Sequence, residues 1–177
     1  MARMAPALVL KEPLARIDQT RIYPPFLERV VAGLEQMIAR GEEFWATSGM
    51  RTFEQQDALY AQGRTKPGKI CTKAPGGFSA HQYGAAIDFC RDADLVKPGL
   101  QPDYNRVSYT VLAEEMELVG LEAGLRWVSI SDAPHVQIPL KLNNITWPRL
   151  VSIHKTGGLA AVWQIFDREL DWRKRQS

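Results

Sequence analysis

Histidine and cysteine are scarce in this chain, three and two among 177 residues. Cys71 and Cys90 lack CxxC spacing, which excludes a thiolate zinc knuckle. Two buried free thiols are the default expectation, and a disulfide in an oxidising compartment is the alternative. No apolar run approaches the ~18 residues that a membrane-spanning helix needs, so no membrane span is expected. The apolar patch APALVL near the start is too short for a signal-peptide core, and no convincing cleavage site follows it. Export by the standard secretory route is therefore not expected. Charge is also lacking: 22 Lys and Arg against 20 Asp and Glu leave a net +2. That balance argues against a nucleic-acid partner, which calls for a basic excess on one face. The tail DWRKRQS is basic; the plain reading is a solvated terminus, the functional one an aid in approaching an anionic polymer such as a cell wall. There are no internal repeats and no low-complexity blocks.

What is present fits one domain over residues 1–177, with a core at about 22–170. PFLERVVAGLEQMIAR repeats apolar residues at helical spacing from Pro25 to Arg40, and Gly41 marks its end. EFWATSG reads as a strand, and Thr52 can cap a second helix that stops near Gly63. RTKPGKICTKAPGGFS, residues 64–79, reads as a long loop, and such loops are more often functional than idle. AAIDF reads as a strand. A third helix is expected from Ser108 to Ala123, two short strands at LRWVSI and HVQI, and a last helix at GGLAAVWQIFDREL. Helices at both ends with strands between them predict an α+β fold, a small antiparallel sheet packed by helices.

Two of the three histidines lie in stretches that look built around them. SAHQYGAAIDFC sets His81 seven residues before Asp88. Gly84 permits a bend between them, and Ala85 and Ala86 keep bulk away. SDAPHVQIP sets Asp132 three residues before His135, with Pro134 and Pro139 stiffening the stretch. Zinc takes imidazole nitrogen and carboxylate oxygen, and a catalytic site uses three protein ligands and keeps one position for water. His81, Asp88 and His135 supply that set. Asp132 is suited to serve as the base and acid that such chemistry needs, and Arg51 in SGMRTFEQQ to stabilise an oxyanion. Each element also has a plain alternative: a hydrogen-bonded loop histidine, a buried acceptor in a strand, a turn, a surface ion pair. Their co-occurrence in a chain so poor in histidine favours the metal. His154 falls outside every motif and is expected at the surface.

SAHQYGAAIDF matches the pattern SxHxxGxAxD, and DAPH the acidic-x-x-His pattern that follows it. Together they resemble the D-alanyl-D-alanine carboxypeptidase and L-alanyl-D-glutamate endopeptidase group of zinc peptidases, which cut bacterial peptidoglycan stem peptides. TSGMRTFEQQDALYAQGRT is similar to that group's SGYRS…EQ…LYxQGRT segment, and GLRW and GGLAAVWQ look like later landmarks of the endopeptidase branch. The resemblance runs from about Ala46 to Leu170. It implies one catalytic zinc ion held by His81, Asp88 and His135, Asp132 as general base and acid, and Arg51 beside the substrate carbonyl. Ser79 and Gln56 match positions near the substrate cleft. Asp132 in place of Glu resembles the endopeptidase branch, which includes phage endolysins. Val136 stands where that branch commonly has an aromatic residue, a change expected beside the cleft. The expected function is hydrolysis of the L-alanyl-D-glutamate bond by a monomer without a separate wall-binding domain. Cytoplasmic accumulation followed by release to the wall is the expectation for a phage lysin. A D-alanyl-D-alanine carboxypeptidase or dipeptidase is the alternative, and a non-catalytic wall-binding protein a third reading.

Overall fold

The structure is a computed structural model and describes residues 11–128, 131–140 and 145–170. The APALVL patch, the basic tail and the Ser129–Ile130 part of one expected strand lie outside the described residues. Four helices of 9 residues or more, a one-turn helix at Lys11–Leu14 and a five-stranded antiparallel sheet form the fold among them. Helix α1 spans Pro24–Ala39, with proline in its first turn, where the missing N–H costs nothing. Its buried face is Phe26, Val30, Leu34 and Met37, each 1% exposed or less. Burying side chains of this size contributes roughly 1.5–3 kcal/mol apiece. Strand β1, Phe44–Ser48, leads into helix α2, Phe53–Ala61. Thr52 and Gln55 cap α2 reciprocally: the Gln55 amide donates to Thr52 Oγ1 at 3.2 Å, and the Thr52 amide to Gln55 Oε1 at 2.8 Å.

Strand β2, Ala86–Asp92, is the centre of the sheet, and β3, Pro102–Asp103, pairs with its far end. Helix α3 is Thr110–Leu118, followed by β4, Glu122–Ala123, and β5, His135–Gln137. The spatial order is β1-β2-β5-β4. Helix α4 spans Trp147–Glu169 and breaks at Gly158, where φ is 66° and ψ −163°.

Because side chains alternate along a strand, the register assigns two distinct faces. Ala46 pairs with Phe89, and Ile87 and Ala123 both pair with Val136. All five are 2% exposed or less and form the core side. The other face carries the pairs Trp45–Cys90, Asp88–His135 and Glu122–Gln137. A bulge between Ala46 and Ser48 brings Ser48 opposite Asp88. Bulges of this kind re-aim side chains beside functional sites.

Four expectations need correction. The third helix ends at Leu118 rather than Ala123, because Gly120 turns left-handed (φ 81°) and Glu122–Ala123 enter the sheet. LRW is not a strand: Gly124–Arg126 form a 3-10 turn, and Glu122–Ala123 is the strand that pairs with HVQ. The last helix begins at Trp147, ten residues before the expected start, since Pro148 sits in its first turn. Both cysteines are free, but Cys71 is exposed rather than buried. No helix among the described residues is long and apolar enough to cross a membrane.

Candidate metal centre

His81 sits on a 3-10 turn, Ala80–Tyr83, closed by Gly84 in the left-handed region with φ 64°. A side chain at Gly84 would place its Cβ 2.2 Å from the Arg21 carbonyl oxygen, so only glycine closes this turn. The chain then enters β2, which carries Asp88 on the cleft face, and the sheet register sets His135 directly opposite. Asp88 Oδ1 lies 3.1 Å from His81 Nε2 and 3.0 Å from His135 Nδ1. The three residues offer one ligand atom each, all within 4.8 Å of one another.

The opposite edge of each imidazole decides its tautomer. His81 Nδ1 is 2.7 Å from the Gly49 carbonyl oxygen, and His135 Nε2 is 2.9 Å from Gln137 Oε1. An oxygen of either kind only accepts, so each of those nitrogens carries the hydrogen. In the neutral rings the lone pairs left on His81 Nε2 and His135 Nδ1 therefore both face the Asp88 carboxylate, and a ring protonated on that side donates to Asp88 instead. Two imidazole lone pairs and a carboxylate converging in this way match the donor set of a divalent cation with nitrogen and oxygen preference. Ligand histidines elsewhere are oriented by the same outer hydrogen bonds.

Charge at the centre follows from burial and proximity. Burial pushes the His81 imidazole below its usual range, against the pull of Asp88. Burial acts on His135 in the same direction, but its bond and charge interaction with Asp88, the Gln137 bond and Asp132 together raise it. Asp88 would be raised by burial alone, yet the charge of His81 and the bonds from both imidazoles hold it well below the carboxylate range. Arg51 closes on the same group from the β1–α2 junction. Its Nη2 donates to Asp88 Oδ2 and lies 3.1 Å from His81 Nε2, while Nε donates to Ser48 Oγ at 3.1 Å.

A cavity of about 1370 Å³ opens over this group and is walled by the loop after α2 and by the turns before β5. Asp132 lines it and remains exposed, but the protein around it removes enough water to push its carboxyl above the usual value. Gly124 makes room for the Asp132 turn: a Cβ there would lie 2.4 Å from the Asp132 carbonyl oxygen and 3.0 Å from His135 Cβ. Ser79 lines the cavity too. Gln56 does not. It is 1% exposed, and its amide is fully engaged, accepting from Arg51 and Gln82 and donating to Thr72 and Ala74. Its place is behind Arg51, where it ties the arginine to the 72–74 loop. Val136, expected beside the cleft, points into the core and is fully buried. His154 is half-buried rather than free at the surface, with its ring stacked on Phe53 at 5.0 Å between centroids.

The motifs did not reveal the polar chain behind His135. Gln137 Oε1 accepts from His135, and Gln137 Nε2 donates to Glu122 Oε2 at 3.3 Å. Glu122 Oε1 accepts from Trp127 Nε1 at 2.6 Å, and the Trp127 ring lies 5.0 Å from the His135 ring. Period-two alternation in HVQ was the available signal, since it sets Gln137 on the face of His135. Nothing local in the sequence points to Glu122.

Comparison with known proteins sets this geometry in context. The chain is 38% identical over 105 residues to the peptidoglycan L-alanyl-D-glutamate endopeptidase CwlK of Bacillus subtilis (strain 168), an overlap of 56% of this chain and 62% of CwlK. It thus spans less than two thirds of that relative. Among solved structures, the Serratia marcescens L-Ala D-Glu endopeptidase ChiX superposes with a TM-score of 0.50 at 15% identity, covering 72% of this chain and 87% of ChiX. That likeness is one of fold. The family model VanY, D-alanyl-D-alanine carboxypeptidase, matches residues 26–124, which include Arg51, His81 and Asp88 and stop short of Asp132 and His135. With more than half of its length matched, the chain belongs to the VanY D-alanyl-D-alanine carboxypeptidase family.

Proposed function

We propose that this protein is a zinc peptidase that hydrolyses the L-alanyl-D-glutamate bond of peptidoglycan stem peptides. The observation that carries the reading is the convergence of His81, Asp88 and His135 at the floor of an open cleft, with Arg51 and Asp132 beside them. The similarity to CwlK supports the choice of bond. His81 Nε2, Asp88 and His135 Nδ1 would hold the ion. When bound, it supplies Lewis acidity to the scissile carbonyl and to the attacking water.

The remaining work falls to side chains of this chain. Asp132 takes a proton from the attacking water and hands it to the leaving amine. The water removed around it raises its carboxyl, which makes it a stronger base than an ordinary aspartate for the first of these transfers. Arg51, steadied by Ser48 and Gln56, presents its positive charge where the carbonyl oxygen gains negative charge. Glu122, Gln137 and Trp127 hold the His135 ring in orientation.

The test is digestion of purified peptidoglycan by wild type and Asp132→Ala, each with its zinc content assayed and its products identified by mass spectrometry. The expected result is new L-alanine carboxyl ends and D-glutamate amino ends from wild type, and zinc binding without cleavage from the variant. Release of terminal D-alanine would instead assign the carboxypeptidase activity for which the family is described. Zinc binding by both proteins with cleavage by neither would favour a binding role.

A further inference from the structure

Arg16 stands where two cavities meet. The large cleft and an adjoining one of about 630 Å³ are both lined by Arg16, Thr47, Arg51 and Leu59. Arg16 precedes the stretch matched by the family model, and no motif in the sequence includes it. Its backbone is nevertheless anchored. Leu14, two residues before it, is 2% exposed and belongs to the core, and the Ile17 amide, one residue after it, donates to the Leu14 carbonyl at 3.3 Å. Ile17 itself packs against the same core.

The side chain is exposed, and its guanidinium carbon lies 5.3 Å from the centroid of the Trp45 ring. Stacking on an aromatic face attracts the cation and fixes its plane while leaving its N–H fork free. No carboxylate among the described residues pairs with Arg16. By contrast, Arg51 is committed to Asp88 and Arg91 to Glu42 and Asp103. A planar fork that is held in place and has no acid partner among the described residues is suited to receive a carboxylate in bidentate fashion.

The sheet register locates this fork relative to the chemistry. Trp45 pairs with Cys90, two residues along β2 from Asp88 and on the same face. At about 3.3 Å per residue, the offset along the strand is about 7 Å. An extended peptide with its scissile carbonyl at Asp88 reaches that point about two residues from the cut. From an L-alanyl-D-glutamate cut the side-chain-linked glutamate is the first residue and diaminopimelate the second, and each carries a carboxylate that the amide bonds of the chain do not consume.

We propose that Arg16, laid on Trp45, forms a carboxylate subsite of the cleft that selects stem peptides by a free acid group about two residues from the scissile bond. The proposal rests on the stem-peptide reading above. The probes that test it are stem tetrapeptides with a reduced, uncleavable scissile amide. They are made in three forms: both acids free, the glutamate acid amidated, and the diaminopimelate acid amidated. Binding is measured by calorimetry on zinc-loaded wild type, Arg16→Gln and Arg16→Lys, with digestion of intact peptidoglycan run alongside.

One amidation should weaken wild-type binding by about tenfold, the scale of one charge-assisted hydrogen-bond pair, and the position that responds names the acid. In Arg16→Gln that preference should fall towards unity while zinc content is unchanged. Arg16→Lys should keep part of it, as a point charge without the fork. Equal loss of affinity for all three peptides in Arg16→Gln, or no preference in wild type that still digests the wall, overturns the subsite and leaves the peptidase reading standing. Wild type that neither binds the peptides nor digests the wall overturns both.

Discussion

The two histidines of the centre face the same carboxylate, but they are held by different means. His81 is fixed by backbone: a 3-10 turn, a left-handed glycine and the Gly49 carbonyl. His135 is fixed by side chains in series, Gln137, Glu122 and Trp127. The difference teaches where the site is vulnerable. A backbone acceptor cannot be deleted by substitution, so the His81 side should yield only to changes that disturb the fold. The His135 side can be loosened one bond at a time while the fold persists.

Asp88 belongs to both sides, so its removal should have the largest effect. Asp88→Ala takes away the shared carboxylate and leaves Arg51 without its partner. Zinc retention after dialysis against a chelator should fall more than about 100-fold, beyond the range usual for outer-shell changes. Retention close to wild type would remove Asp88 from the proposed ligand set.

Gly84→Ala is the way to break the backbone side. It forces an alanine into φ 64° and a Cβ against the Arg21 carbonyl. Strain of this kind costs on the order of 1–3 kcal/mol, and the overlap adds to it. The measurement is a denaturant midpoint on chelator-treated protein, which separates fold from metal. An unchanged midpoint would mean that the turn relaxes without cost, and the contrast between the two sides would fail.

How much of this was legible in the sequence follows the same division. The proposed ligand set, with Asp132 and Arg51, stood in short contiguous motifs, and helical periodicity gave α1 within a residue at each end. Placing Asp88 across from His135 needed only that AAIDF and HVQ be paired strands. The failures came from longer range. Glu122 reaches Gln137 only because the chain leaves α3 early at Gly120, which no apolar pattern announces. Gln56 looked like a cleft residue by its motif, but its burial is a property of the folded loop at 72–74. Arg16 is invisible in sequence, since its partner Trp45 lies far along the chain.

The side-chain half can be broken in graded steps. Gln137→Ala removes the acceptor of His135 Nε2 and should weaken zinc binding by about 10–100-fold, read by competition with a chromogenic chelator. Gln137→Glu keeps an acceptor for His135 but sets a second carboxylate against Glu122, so it should also weaken binding. Adding Glu122→Gln returns a donor to face the new carboxylate, and the double variant should recover most of the loss. Failure to recover would show that Gln137 acts by shape rather than through its bond to Glu122.

Trp127→Phe should have the smallest effect and is the most discriminating. It keeps an aromatic ring against His135 and deletes only the N–H that holds Glu122 Oε1. Glu122 retains its bond from Gln137 and is half-buried, so water can replace the lost donor at modest cost. Zinc affinity should therefore fall by only about two- to tenfold, less than in Gln137→Ala. Cobalt substitution gives a second readout, because its visible absorption reports ligand geometry rather than fold. A shifted band in Trp127→Phe at an unchanged denaturant midpoint would show that orientation of His135 is transmitted from three residues away in the hydrogen-bond chain. An unchanged band together with a lowered midpoint would reduce Trp127 to a packing residue and end the relay at Glu122.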